Sequence, residues 1–487
     1  MANKRITDLN PKDNLGSTDL IQVLDMINLK DYNLAGSVLL DPTKISFDPQ
    51  AGLESTTLSK ALIELSEKAT IGSPDYYVYV DGNFEITVGP DGDFTKLSEA
   101  IRSVARLRKS DHLEGAPVYN GTGTPFILIT LKDGYVWDET FEFRGGESFA
   151  HITVKQEALV IYTSESFAYS NRSAGIFGVT DGSVGPNFEL NIDLRNTFSV
   201  TPFAIVNGAG SKLLSHGKGL QITTNASTAL EVSSGGSFEY IPPDSSDLGT
   251  LTALRIYNMT GVGLFINGGT VQCHSQTENL GASVQILGGA RSLLIDNGGQ
   301  LLCDSLGATD LGYTDGITSG TLIQLDNHSR ISAGTTHLNS VDRTVLMTLD
   351  NNSEFVTDYV RLSGYPMGYI FADNKSGITI NSGNILSNLN LDYLIKLDHN
   401  SFFDSSDTGA STLLFESTGS APALGFFLID NASNVYVDNV TGVVGENKPF
   451  FSISNGSIVN KVNSIGDANQ DVNVWTLNGV INEALNE

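Results

Sequence analysis

Cysteine is almost missing from this chain, with two in 487 residues, which excludes a disulfide framework as its source of stability. Positive charge is scarce too. With 28 basic side chains against 55 acidic ones the formal charge is −27, and the only locally basic stretch runs from Arg102 to Lys109. Nucleic-acid affinity rests on clustered Lys and Arg, so no nucleic-acid partner is expected. No apolar run approaches membrane-spanning length, and Met1 to Asp8 lack the apolar core of a signal peptide. The expectation is a chain neither inserted in a membrane nor exported by the general secretory route. Cofactor motifs are missing, and His274, His328, His337 and His399 stand alone in the sequence without metal-ligand spacing, so neither a cofactor nor a metal is expected. Asp91-Gly92-Asp93 is too short for a calcium loop and reads as a turn.

What the chain does have, from about residue 260 onward, is one recurring phrase: a few apolar residues, then Asp-Asn or Asn-Gly, then Ser or Gly, then another alternating apolar stretch. It reads Leu294-Ile295-Asp296-Asn297-Gly298-Gly299, Leu325-Asp326-Asn327-His328-Ser329, Leu349-Asp350-Asn351-Asn352-Ser353, Phe371-Ala372-Asp373-Asn374-Lys375-Ser376 and Ile429-Asp430-Asn431-Ala432-Ser433. Looser copies lie at Asn267, His399, Asn455 and Asn478. Successive Asn-equivalent positions are separated by 30, 30, 24, 23, 25, 32, 24 and 23 residues, which is a loose solenoid period. A short strand, a turn tolerant of left-handed backbone, and a second strand make one coil of a parallel β-helix. Helix-pair repeats would instead show a 3.6-residue period and much Ala, Glu, Lys and Arg, whereas these segments are rich in Val, Ile, Leu, Phe, Ser, Thr and Asn. An Asp that recurs in at least six coils is a turn former and not a catalyst, and the Asn side chains are expected to stack as an internal ladder. Cys273 and Cys303 each follow a phrase Asn by six residues, which predicts buried, reduced thiols stacked on successive coils. The Asn-x-Ser/Thr sequons at Asn225, Asn258, Asn327, Asn374 and Asn431 follow from turn chemistry, with no glycan expected.

Three regions are expected. Residues 1–75 form an N-terminal segment whose helix carries Leu58, Ala61, Leu62 and Leu65 on one face, too short to persist without a partner. Residues 76–115 form a neck: strands at 77–80 and 84–88 around an Asp81-Gly82-Asn83 hairpin turn, then an amphipathic helix over 96–109 with Leu97, Ala100, Ile101, Val104 and Leu107 on one side. Such a helix would cap the open end of a solenoid. Residues 116–487 form the β-helix, about 14 coils at about 4.8 Å each, or roughly 65 Å.

The run Gly92-Asp93-Phe94-Thr95-Lys96-Leu97, followed by Ile127 to Tyr135 and Glu139-Thr140-Phe141, resembles the opening of pectin-methylesterase-type and related pectin-lyase-like β-helices. That likeness covers about fifty residues and implies a right-handed parallel β-helix. It does not carry the chemistry, because the esterase's Asp-Phe-Ile-Phe-Gly-like and Gly-Arg-Pro-Trp segments have no counterpart here. Ile6-Thr7-Asp8-Leu9, Thr18-Asp19-Leu20-Ile21-Gln22-Val23 and the Leu53 to Leu65 helix are similar to the virion-anchoring segments of tailed-bacteriophage tail spikes and tail fibres. The resemblance implies a small N-terminal anchor, a homotrimer, tail or baseplate proteins as partners on one side and bacterial surface polysaccharide on the other, and a virion location. The function it implies is a structural, receptor-binding tail component, with a polysaccharide depolymerase (glycoside hydrolase, lyase or deacetylase) as the alternative.

Sugar cleavage needs paired carboxylates flanking the bond, about 5 to 9.5 Å apart, or a base beside an acidic site. The acidic groupings in range are Glu139 with Glu142, Glu231 with Glu239, Asp304 with Asp310 and Asp315, and Asp404 with Asp407. The long steps between phrases place Asp304, Asp310 and Asp315 on a loop, where sites often reside, and make them the leading catalytic candidates. Only eight residues follow Gly479, which leaves no room for a C-terminal trimerisation or carbohydrate-binding domain and favours the structural role.

Overall fold

The computed structural model describes residues 78–80, 83–109, 126–162, 176–195, 202–241, 251–258, 260–273, 282–287, 291–309, 321–340, 345–364, 368–387, 393–405, 413–417, 426–437, 440–442, 450–461, 474–477 and 479–483. The anchor segment expected over 1–75 lies outside them, as do Asp310, Asp315, Asp407 and Asn478. Two compact units emerge, one of Met1–Phe84 with Arg102–Ala116 and one of Glu85–Ile101 with Pro117–Glu487.

In the first unit Val78–Val80 pairs in parallel with Leu107–Lys109. Two expectations are corrected here. Val78–Val80 is not the first half of a hairpin with Phe84–Val88, since turn residues between two short strands do not fix which edge each strand will find. The helix covers only Leu97–Val104, because Leu107 continues the apolar period whether or not the helix does. Beyond Val104 the backbone finds a strand partner, and the Arg108 guanidinium donates to the carbonyls of Ala105 at 2.7 Å and Leu107 at 2.8 Å.

The second unit is a stack of parallel coils, so the all-β parallel solenoid read from the phrase is what the chain forms. Each coil begins with a first arm, for example Thr321–Leu325, one of thirteen such strands from Phe141–Phe143 to Val474–Leu477 that pair consecutively in one parallel sheet. Twelve steps at about 4.8 Å make that sheet about 58 Å deep. A tight turn leads to a long strand such as Arg330–Ser340, which bends once and so supplies a second and a third arm. Variation in coil length falls on both sides of the third arm: eleven residues separate Thr309 from Thr321 but only four separate Ser340 from Val345, and eight separate Cys273 from Ala282 where Arg330–Ser340 runs on without a break.

Period-2 alternation turns one apolar set per arm inward. Ile295, Leu325, Leu349, Ala372, Leu397, Ile429 and Ile453 occupy one register position on successive first arms. All are at most 1% exposed. Burial of each Leu or Ile contributes about 1.5–3 kcal/mol, and the column is continuous, so coils support one another. Cys273 and Cys303 are direct register partners, free and buried, as the spacing predicts. Burial pushes both thiols above their ordinary pKa. Asn258, in one of the sequons, is buried and its Nδ2 donates to the carbonyls of Ala226 and Val262. Among the described residues no helix is long and apolar enough to cross a membrane.

Candidate functional site

The recurring phrase forms the corner between the first and second arms. Asn297, Asn327, Asn351, Asn374, Asn431 and Asn455, with His399, all have φ between 46° and 54°, and the next residue is also left-handed. Two consecutive residues at positive φ define a type I′ turn, closed by bonds such as Ser376 N to Asp373 O at 3.2 Å and Ser401 N to Asp398 O at 3.2 Å. The same backbone occurs at Asp181-Gly182 and Ser234-Gly235, in coils where other residues obscure the phrase.

The turn carries two ladders. The outer one is mostly Asp to Asn and lies on the surface, in place of the internal Asn stack expected; one rung, Asn297 Nδ2 to Asn267 Oδ1 at 2.7 Å, is Asn to Asn. Asp296, Asp350, Asp398 and Asp430 each accept Nδ2–H from the Asn of the next coil, at 2.7 Å for Asn327 to Asp296 and Asn374 to Asp350. Asp350 also accepts its own neighbour's N–H, from Asn351 at 2.8 Å. The inner ladder is serine. Ser329, Ser353, Ser376, Ser401, Ser433 and Ser457 are at most 1% exposed, and the N–H of Ser329, Ser353, Ser401 and Ser433 each reaches the next coil's hydroxyl at 3.2–3.3 Å. The position between stacked backbones takes only a small residue: in earlier coils Gly236, Gly269 and Gly299 stand there.

A column of carboxylates one coil apart repels itself, and the ladder offsets this unevenly. At Asp326 burial, with Asp350 and Asp296 nearby, raises the carboxyl pKa despite a hydrogen bond from Gln324. At Asp430 bonds from Ser454, the Asn431 N–H and Asn455 outweigh burial and hold it low. His399 takes the Asn place on one rung and does not stand alone: its Nδ1 lies 2.7 Å from Asp373 Oδ1 and 3.4 Å from Asp398 Oδ1. These three residues form the one group among the described residues with metal-capable geometry. The histidine atom is already used as the rung's hydrogen-bond donor to Asp373.

The Asp373 hydrogen bond, then the Asp398 charge, raise the His399 pKa above the ordinary 6.5. A raised folded-state value means that the protonated rung stabilises the fold fully below about 6.5 and that this part is lost as pH rises through the folded pKa. NMR titration should place His399 above a free imidazole. In His399→Asn the stability change over that window should disappear, and an unshifted His399 titration would contradict the rung.

Three of the carboxylates considered for catalysis, Glu139, Glu142 and Glu239, have other partners, whereas Asp404 Oδ1 is buried without one among the described residues. Glu139 accepts both the N–H (2.9 Å) and the hydroxyl of Ser98, an anion at a helix N-terminus. Glu142 accepts Thr180 Oγ1–H at 2.9 Å and pairs with Arg144. Glu239 pairs with Lys212 at 2.7 Å on a second arm, whereas Glu231 sits on a first arm across the turn. Asp304 is not on a loop. It lies within the strand Gln300–Thr309, at the bend where pairing passes from Cys303↔Ala333 to Ser305↔Thr335. Gly334, Asp358 and Asn381 occupy the same bend in later coils, and Asn381 Nδ2 donates to Asp358 Oδ1 at 3.0 Å. Residue type at the bend varies because its side chain is outside the ladder. Asp404 lies on the second arm Phe402–Ser405, in register with Tyr436, and exposed Phe402 and Tyr436 flank it.

The outward face of the third arms is different. One register position reads Gln221, Arg255, Gln285, Gly307, His337, Arg361 and Asn384 on seven consecutive coils. Beside it run Thr223, Tyr257, Leu287, Thr309, Asn339 and Ser363 on one side. Ser305, Thr335, Tyr359 and Ser382 run on the other. None of these is acidic, although acidic residues outnumber basic ones nearly two to one in the chain. Six steps at about 4.8 Å make the strip about 29 Å long. Flat strands presenting amides, hydroxyls, tyrosines and two guanidiniums suit an extended polar ligand. Linear sequence hides this strip, since its residues are 22 to 34 positions apart and align only once the coil lengths are known. No protein family and no curated protein matches the chain.

Proposed function

We propose that this protein is a structural, receptor-binding component of a bacteriophage tail, a spike or fibre, that contacts bacterial surface polysaccharide. The observation that carries the reading is the carboxylate-free strip on the third arms, about 29 Å long on a β-helix that is otherwise acidic. A glycan chain offers repeated hydroxyls and C–H faces, which amides, hydroxyls and tyrosine rings match by hydrogen bonding and stacking. The anchor-like segment over 1–75 supports attachment to tail proteins and assembly as a homotrimer. Glu139, Glu142 and Glu239 have structural partners, which favours binding over cleavage. Purified full-length protein should be retained on capsule or lipopolysaccharide from a susceptible host and should generate no new reducing ends, unsaturated uronates or acetate. Release of such products would establish the depolymerase alternative. Failure to bind surface glycan from any susceptible host would refute the receptor-binding role.

A further inference from the structure

We propose that the third-arm strip selects saccharides bearing an anionic group, with Arg361 as the anchor for the anion and His337 and Tyr359 completing the subsite; this rests on the glycan-binding reading above. Arg361 is exposed and, among the described residues, its guanidinium has no ion pair or hydrogen bond. The exposed Arg102 side chain shares this, but most of the described arginines are engaged. Arg144 pairs with Glu142, Arg195 with Asp193, Arg330 with Glu354, and Arg255 is held by Gln285 at 3.0 Å. A guanidinium in a strongly acidic protein with no carboxylate partner presents a fork of donors of the shape that binds a carboxylate, phosphate or sulfate in bidentate fashion.

Its neighbours fit a sugar around that anion. His337 is the register partner of Arg361, and its ring lies 6.2 Å from that of Tyr359. The residues facing the imidazole from adjoining strands are Gly307, Arg361 and Tyr359, none of them acidic. Partial burial, then the Arg361 charge, lower the His337 pKa, so at neutral pH the ring is an uncharged hydrogen-bonding group suited to a sugar hydroxyl. Tyr359 is 39% exposed and offers a face for stacking. Gly307 supplies no side chain next to His337, which leaves room for a bulky ring. At physiological ionic strength the Debye length is about 8 Å, so the remote carboxylates that give the chain its negative charge are screened while the local guanidinium is felt.

The test uses the full-length protein, with oligogalacturonate, a glycerol-phosphate oligomer and a heparin-derived oligosaccharide as carboxylate, phosphate and sulfate probes, and dextran as the neutral control. At least one anionic probe should bind at least tenfold more tightly than dextran. Arg361→Gln should remove at least tenfold of that affinity, Arg361→Lys should retain part of it, and Arg330→Gln, on another arm, should leave it unchanged. Bound anion should also raise the His337 pKa seen by NMR, a shift that a purely structural role for Arg361 would not produce. Equal binding by Arg361→Gln and the native protein, or dextran binding as tightly as every anionic probe, overturns the anionic subsite while leaving a glycan-binding role standing. If no saccharide binds, from these probes or from host surfaces, both this inference and the reading beneath it fall.

Discussion

Phe177→Ala should lower the stability of the early coils by about 3–5 kcal/mol, the range for emptying a buried aromatic site. Phe177 is fully buried, with the ring of Phe188 at 4.8 Å edge-on, Phe143 at 5.0 Å and Phe203 stacked at 6.5 Å. The surrounding rings cannot collapse into the void. Phe177 pairs with both Phe141 and Ala204, and those strands are held at ladder spacing by backbone bonds such as Phe177 N to Phe203 O at 2.9 Å. Because a solenoid couples each coil mainly to its neighbours, the loss should be local. Hydrogen exchange should quicken at residues 177–179 and 204–207 and remain near native at 427–429. Unchanged protection around the cavity would mean that the aromatic cluster does not hold these coils.

The sequence was most legible where one local requirement recurs. A left-handed pair at each corner favours Asn and Gly, and that preference printed the Asp-Asn phrase that gives away the coil. Cys273 and Cys303 could be placed from it because the second arm starts at a fixed distance from the turn. Partner choice was less legible. Val78–Val80 carries no mark that sends it to Leu107–Lys109, and Leu107 continues a helical stripe in a residue that turns out to be strand. Asp304 was misplaced because the bend in Gln300–Thr309 needs no special residue, so the long interval before the next phrase looked as if it began there. The Ser column is hidden in the sequence, since serine after a turn reads as ordinary loop chemistry until stacking shows it buried.

The same reasoning explains why a binding face is harder to read than a fold. The corner is specified within four residues, whereas Arg361, His337 and Gly307 become neighbours only through pairings across two coils of different length. Acidic residues, the natural candidates for sugar chemistry, are abundant here, and the turn alone accounts for six of them at Asp296, Asp326, Asp350, Asp373, Asp398 and Asp430. What distinguishes the third-arm strip is the local scarcity of the chain's commonest charge. Such a pattern is visible only on a surface.

Gly364→Ala should be among the most damaging single-methyl changes in the later coils. Gly364 ends the strand Glu354–Gly364 at φ 120°, paired with Ser340. L-residues rarely adopt that backbone, and holding one there costs about 1–3 kcal/mol. Space is lacking as well. An added Cβ would overlap the Ser340 carbonyl oxygen and lie 2.8 Å from both the carbonyl carbon and the amide nitrogen of Ser340. These are backbone atoms in a ladder, unable to swing aside as a flexible side chain would, so overpacking adds about another 1–3 kcal/mol. Relief requires the ends of Arg330–Ser340 and Glu354–Gly364 to part. The mutant should therefore unfold at lower denaturant concentration, and the amides near 338–340 and 362–364 should lose protection before those of the first arms at 321–325 and 345–349. Gly298→Ala makes the matched control: its φ is 76° and an added Cβ meets nothing within 4 Å, so only the backbone cost applies and the loss should be the smaller of the two. Equal losses for the two variants would show that the close approach to Ser340 contributes nothing and that the register between these coils is wrong at its end.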